Sequence, residues 1–124
     1  MLRMDDHTDQ GYVELIVNGK IDRAGLEEVL VPLEGLLKEH GKLGVLKHIV
    51  SFRGASPMVF WREIRSAARH LTHVGPVAVV SDKRYVKIWT RMTAPFWKAE
   101  VRFFSLSELE EARTWLAGEM ARAA

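Results

Sequence analysis

The sequence of 124 residues contains no cysteine, and this absence excludes disulfide bonds, thiolate metal sites and a cysteine nucleophile. It also lacks any apolar run that approaches the roughly 20 residues a membrane-spanning helix needs. The first ten residues are acidic and have no apolar core, so they do not resemble a secretory signal. We therefore expect a cytoplasmic protein with a single domain, residues 1–124, whose contact with a membrane would be peripheral.

Catalytic motifs are missing as well. There is no nucleophile elbow, no glycine-rich phosphate loop and no paired-carboxylate pattern in the basic half of the chain. His70 and His73 have a spacing that metal ligands use, but they have no neighbouring carboxylate or thiolate, which is more typical of a helix surface. We predict no catalytic residue, no metal and no cofactor, and we expect a non-enzymatic protein.

Positive charge is concentrated in one half of a chain whose formal net charge is only +2. Residues 51–102 contain ten Lys or Arg against three Asp or Glu, together with three of the four tryptophans, whereas the remainder has eight bases against thirteen acids. Basic and aromatic side chains together favour an anionic surface or ligand. Nucleic acid is disfavoured, because the acidic first helix and tail would repel a long polyanion and no recognition motif is present.

Strand and helix patterns alternate along the chain, which predicts an α/β sandwich with helices on both faces of the sheet. The predicted order is a hairpin of strands 2–4 and 12–18, a helix between Asp22 and Gly41, strand 43–50, a helix from Ser56, strand 77–80, a helix ending before Pro95, strand 101–104 and a final helix with a capping box at Ser107. Strand 43–50 is apolar on both sides, so its neighbours should be parallel. Strand 77–80 should be an interior strand that packs on Phe60, Ile64 and Leu71 of the second helix.

Four segments together resemble the SpoIIAA-like family: Gly19-Lys20-Ile21 at the end of a strand, Pro32 inside the first helix, Ser81-Asp82-Lys83-Arg84, and residues 94–104. The resemblance spans nearly the whole chain. It implies a STAS-like and CRAL-TRIO-like α/β domain with a mixed sheet of four or five strands and about four helices. It further implies frequent dimers and a role in membrane association or apolar-ligand binding, with no established reaction. The partners it implies are an apolar or lipid-like small molecule, an anionic membrane surface and a second copy in a homodimer.

Ser56 lies where the related anti-anti-sigma proteins carry a phosphorylatable serine. The local sequence Arg53-Gly54-Ala55-Ser56-Pro57-Met58 retains a hydroxyl but lacks the preceding acid, the second hydroxyl and the Gly-Leu pair of that motif. The plainer interpretation is that Ser56 caps the second helix by accepting a hydrogen bond from a free backbone amide. The alternative is a phospho-switch position, since the helix dipole would favour a phosphate there.

The third helix and the segment after it hold the candidate binding residues. Arg84, Lys87 and Arg91 share one helix face, and the apolar side formed by Tyr85, Ile88, Trp89 and Met92 would cover the sheet in the plainer interpretation. Asp82 is expected to cap this helix. Aromatic rings beside cations suit the membrane interface. The predicted ligand- or membrane-binding residues are Lys83, Arg84, Lys87, Trp89, Arg91, Met92, Phe96, Trp97 and Lys98.

Two functions therefore compete. The leading hypothesis is a domain that binds an apolar or anionic lipid-like ligand, associates peripherally with membranes, or does both, with an apolar pocket between the helices and a basic rim. The alternative is a STAS-type regulatory module that binds a protein partner through the surface around Ser56.

Overall fold

The computed structural model describes residues 1–53, 74–96 and 100–123, and within these ranges the chain forms five strands and three α-helices. The strands are β1 (Leu2–His7), β2 (Tyr12–Lys20), β3 (Leu43–Arg53), β4 (Val74–Ser81) and β5 (Val101–Ser105), and the helices are α1 (Arg23–His40), α2 (Arg84–Thr93) and α3 (Leu109–Ala123). Short 3-10 turns occupy Thr8–Gln10, Ala94–Phe96 and Leu106–Glu108. The helix predicted from Ser56, with its packed side chains, lies outside the described residues.

The strands form one mixed sheet in the order β1-β2-β3-β4-β5. β1 is antiparallel to β2, and each later pair is parallel. The predicted hairpin and the predicted parallel neighbours of strand 43–50 are both confirmed. β3 occupies the centre because its side chains are apolar on both faces, and β4 is an interior strand as predicted.

Helices cover both faces of the sheet, which confirms the predicted sandwich. On one face, Leu33 and Leu37 of α1 and Val86 of α2 belong to a buried cluster with the odd-numbered residues of β3. On the other face, Ala112 and Leu116 of α3 pack with the even-numbered side of the same strand. The two faces follow from the alternation of side chains along a strand.

Both ends of α1 were predicted correctly, but the start of α3 was not. Asp22 caps α1 by accepting a hydrogen bond from the Gly25 amide at 2.7 Å, and the Gly41 amide donates to the Leu37 carbonyl at 2.8 Å. The capping box predicted at Ser107 is wrong by two residues. It is built by Ser105, whose amide donates to the Glu108 carboxylate at 3.0 Å, because a 3-10 turn precedes α3.

The contact between α3 and the sheet is very close at Gly44. A Cβ atom at this position would lie 2.8 Å from Cδ1 and 3.1 Å from Cγ of Leu116. Leu116 is fully buried, so its side chain has little room to move away. A glycine in β3 is therefore a packing requirement of α3.

Lys47 lies on the apolar face of the central strand. Its register partners are Leu15 of β2 and Val79 of β4, which belong to the face that α1 and α2 cover. Burial lowers the pKa of Lys47 from 10.5 to about 8, because desolvation disfavours the charged amine. The fold therefore tolerates an ionisable group where the strand pattern favours an apolar side chain.

We expect Gly44→Ala to lower the free energy of unfolding by about 1–3 kcal/mol through overpacking against Leu116. The matched control is Gly35→Ala in α1, where an added Cβ meets nothing within 4 Å. The control should stabilise the protein by about 0.5–1 kcal/mol, because alanine favours a helix interior. Urea denaturation of both variants measures the difference, and equal effects of the two substitutions would contradict the close contact.

We also expect Lys47→Met to remove a pH-dependent part of the stability. Between pH 8 and 10.5 the unfolded chain holds a proton on Lys47 that the folded protein has lost, so unfolding is disfavoured as pH rises through this window. The free energy of unfolding of the wild type should increase there by on the order of 2–3 kcal/mol relative to Lys47→Met. Lys38→Met, at an exposed lysine of α1, should keep the wild-type slope. Denaturation curves across this pH range test the expectation, and parallel profiles for all three proteins would refute it.

Candidate functional site

The start of α2 is fixed by a buried serine at the end of β4. The Ser81 hydroxyl donates to the Ile49 carbonyl of β3 at 2.8 Å and accepts a hydrogen bond from the Lys83 amide at 3.1 Å. Ser81 is only 2% exposed. This single hydroxyl joins the ends of two parallel strands to the turn that leads into α2.

Asp82 does not cap α2, which corrects the expectation from the sequence. The N-cap residue is Lys83, which has an extended backbone and makes no capping bond through its side chain. The Lys83 amide instead donates a hydrogen bond to the hydroxyl of Ser81, two residues earlier in the chain. Asp82 and Lys83 are both exposed at the edge of the sheet where the parallel strands end.

α2 packs on the sheet through Val86 and Thr90, which are 1% and 5% exposed. These residues are one helical turn apart and therefore share a face. The Thr90 hydroxyl donates to the Val86 carbonyl at 2.7 Å, so a polar side chain can be buried without an unsatisfied donor.

The apolar side predicted to pack on the sheet is instead largely exposed. Tyr85, Ile88 and Met92 are 44%, 51% and 69% exposed, and Trp89 is half-buried beside them. We refer to Tyr85, Ile88 and Met92 as the apolar stripe. The sequence pattern assigned the wrong side of the helix to the sheet because the buried side contains a polar residue, Thr90.

A row of cations lies directly beside the apolar stripe. Arg84, Lys87 and Arg91, here called the cationic stripe, recur every three or four residues and are exposed. None of them forms an ion pair with another residue of the described ranges. The outward side of α2 therefore presents two parallel stripes, one apolar and one positively charged.

A cleft of about 440 Å³ opens between α2 and β5. Lys87 and Arg91 of the cationic stripe line it from the helix, and Val101 and Phe103 line it from the strand. Two of the predicted binding residues thus border a concave space as well as an exposed surface.

The predicted site residues are brought together only in part. Arg84, Lys87, Arg91 and Met92 lie on the exposed side of α2, Lys83 is exposed at its N-cap, and Trp89 is half-buried. The backbone of Phe96 ends the 3-10 turn after that helix. Trp97, Lys98 and Ser56 lie outside the described residues, and their roles stay predictions.

An ion pair between a buried glutamate and a partly exposed arginine, on the opposite face of the sheet, was not anticipated. Nε of Arg113 on α3 donates to Oε1 of Glu14 on β2 at 2.5 Å, and Nη2 donates to Oε2 at 3.2 Å. Glu14 is 2% exposed, and the hydrogen bonds that Arg113 donates to its carboxylate raise the pKa of Arg113 above its ordinary value. The sequence offers only a partial signal, a glutamate within the strand pattern of β2, and does not identify Arg113 as its partner.

Two kinds of site are not found among the described residues. Outside residues 54–73, 97–99 and 124, no group of three His, Asp or Glu side chains is arranged to hold a metal ion. No helix within the described part of the chain is both long enough and apolar enough to cross a membrane.

The mixed sheet, the helices on both faces and the exposed α2 define an α/β domain of the STAS-like class. Residues 12–117 match the model of the SpoIIAA-like family, and the chain belongs to that family. Its fold is similar to the crystal structure of an uncharacterized protein with a SpoIIAA-like fold from Shewanella loihica PV-4. The two chains are 22% identical, the match covers 94% of this chain and 92% of the other, and the TM-score is 0.71.

A comparison with curated proteins gives no match. This fold is typical of non-enzymatic regulatory or binding modules.

We expect Arg113→Met to cost about 3 kcal/mol of stability, because the buried Glu14 carboxylate loses the guanidinium and keeps only the His7 ring, whose Nε2 lies 3.7 Å from Oε1. The double variant Glu14→Met/Arg113→Met should recover most of this loss, since neither charge then remains buried. Arg122→Met is the matched control, because Arg122 pairs with Glu119 on the exposed side of the same helix. Urea denaturation measures all three proteins. If Arg113→Met is no more destabilising than Arg122→Met, the pair does not anchor α3.

Proposed function

We propose that this protein is a non-enzymatic binding module that associates with an anionic membrane surface through the exposed side of α2. The observation that carries the proposal is the arrangement of the apolar stripe beside the cationic stripe on one exposed helix surface. A bilayer interface combines the same two properties, because anionic headgroups lie next to acyl chains.

Charge supports the membrane as the occupant of this surface. Arg84, Lys87 and Arg91 are exposed, and the neighbouring Lys83 adds a fourth cation. Each cation near an anionic leaflet contributes on the order of 1 kcal/mol, and this attraction is screened by salt. Four such contributions are enough for reversible binding but not for permanent insertion.

The apolar stripe supplies the second contribution. Ile88 and Met92 are more than half exposed, and their side chains would enter the boundary between headgroups and acyl chains. Burial of apolar surface depends little on salt, so it should persist when the charge attraction is screened. The two contributions can therefore be separated by experiment.

A STAS-type regulatory module is the second candidate, and the family membership favours it. In that case the apolar stripe would be covered by another protein or by a second copy of this chain. Ser56 would then be the candidate switch position. Native mass spectrometry of the purified protein separates these possibilities, since it gives bound lipid and subunit number together.

We expect vesicles containing phosphatidylglycerol to carry the wild-type protein in flotation, with binding that weakens as salt rises. Arg84→Glu/Arg91→Glu should abolish the salt-sensitive part, and Ile88→Ser/Met92→Ser should weaken binding at every salt concentration. The apolar control is Val31→Ser on α1, because Val31 is as exposed as Met92, at 69%. The charge control is Lys38→Glu on the same helix.

Both controls should float as the wild type does. A wild type that ignores these vesicles at low salt would refute membrane association. If Ile88→Ser/Met92→Ser then converts a dimer to a monomer in light scattering, the apolar stripe is instead the interface between two copies.

A further inference from the structure

The cleft between α2 and β5 has two chemically different sides. Lys87 and Arg91 line it from the helix, whereas Val101 and Phe103 line it from β5. Both β5 residues pack against the apolar cluster of the sheet, so their side of the cleft is apolar. A volume of about 440 Å³ is in the range of small-molecule sites.

The charged residues that line the cleft have a net positive charge. Arg102 also lines it, but its guanidinium lies 5.0 Å from the centre of the Phe104 ring and 5.8 Å from that of Trp115, on the face of the sheet that α3 covers. The acidic side chain in the lining is Glu108. Its carboxylate accepts hydrogen bonds from the amide of Ser105 at 3.0 Å and the hydroxyl of Ser105 at 2.8 Å.

These hydrogen bonds hold the Glu108 carboxylate against Ser105, in the turn before α3. They lower the pKa of Glu108, and the charges of Arg102 and Lys87 act in the same direction. Lys87 and Arg91 outnumber this one carboxylate, so the cleft is able to attract an anion. Lys87 and Arg91 are the two cations on the helix side and are not paired with a carboxylate of the described residues.

We propose that this cleft binds a single amphiphilic anion, whose charged oxygens lie against Lys87 and Arg91 and whose acyl chain lies along Val101 and Phe103. The head group is a phosphate monoester or a carboxylate, since either accepts charge-assisted hydrogen bonds from lysine and arginine. The proposal rests on the proposed function in taking the ligand to be lipid-like. It goes further by separating a specific site in the cleft from the general attraction of the exposed helix surface.

The geometry distinguishes three cations that are otherwise alike. Arg84, Lys87 and Arg91 share the cationic stripe, and a planar anionic surface attracts all three to a similar degree. Of these three, Lys87 and Arg91 line the cleft and Arg84 does not. A soluble amphiphile should therefore depend on Lys87 and Arg91 and not on Arg84.

The test is a calorimetric titration with dihexanoyl phosphatidic acid below its micelle concentration. Inorganic phosphate and dihexanoyl phosphatidylcholine serve as probes of the head group alone and of the chains alone. The phosphatidic acid should bind at least about tenfold more tightly than either, because it uses both sides of the cleft. Lys87→Gln and Arg91→Gln should each weaken its binding roughly tenfold or more, the fold-change expected for a lost charge-assisted hydrogen bond. Arg84→Gln should leave it unchanged.

A variant that keeps every charge provides an independent check. Ala94→Leu places extra volume in the lining of the cleft and should weaken the phosphatidic acid without changing inorganic phosphate. Thermal unfolding of each variant confirms that it is folded. Equal losses in the three glutamine variants, equal affinity for inorganic phosphate, or no binding at all would each overturn the cleft proposal.

Failure of this proposal is distinct from failure of membrane association. If the protein floats with phosphatidylglycerol vesicles but does not bind the soluble amphiphile, the cleft proposal is wrong and the membrane proposal stands. If the protein binds the soluble amphiphile but does not float with the vesicles, the membrane proposal is wrong and the cleft proposal stands.

Discussion

The order of the parallel strands constrains the rest of the structure. β2, β3, β4 and β5 are neighbours in the sheet in the same order as in the chain. Connections between parallel strands are right-handed, so successive connections in one direction bring their helices to the same face. α1, after β2, and α2, after β4, accordingly share a face. Of the described helices, α3 covers the other face, where it contacts β3 closely at Gly44.

The exposed side of α2 is a consequence of the same order. α2 connects β4 to β5, and β5 lies at the end of the strand order. A helix over the edge of a sheet has less surface beneath it than one over the centre. Val86 and Thr90 are enough to fill that contact, and the remaining apolar residues stay at the surface. The candidate membrane surface and the cleft beside β5 therefore have a single structural origin.

Most of the fold was predictable because its signals are local. The caps at Asp22 and Gly41 and the apolar run in β3 each depend on a few neighbouring residues. The errors arose where a polar side chain makes a hydrogen bond that the residue pattern does not specify, within its own helix or to another strand. Thr90 is buried because its hydroxyl bonds its own helix, and Ser81 replaces Asp82 at the turn because it also bonds β3. The position of Arg113 opposite Glu14 requires the register of a helix on a strand almost a hundred residues away, which no pattern in the sequence specifies.

The strand order also has a kinetic consequence. Of the described strand pairs, β1 and β2 are joined by a short turn, whereas every parallel pair must first enclose a long connection. Enclosing such a connection costs chain entropy before any contact between the strands repays it. The β1–β2 hairpin can form early, but the slow step should be the docking of β3 between β2 and β4. Substitutions in α2, at the edge of the sheet, should then change the rate of unfolding more than the rate of folding.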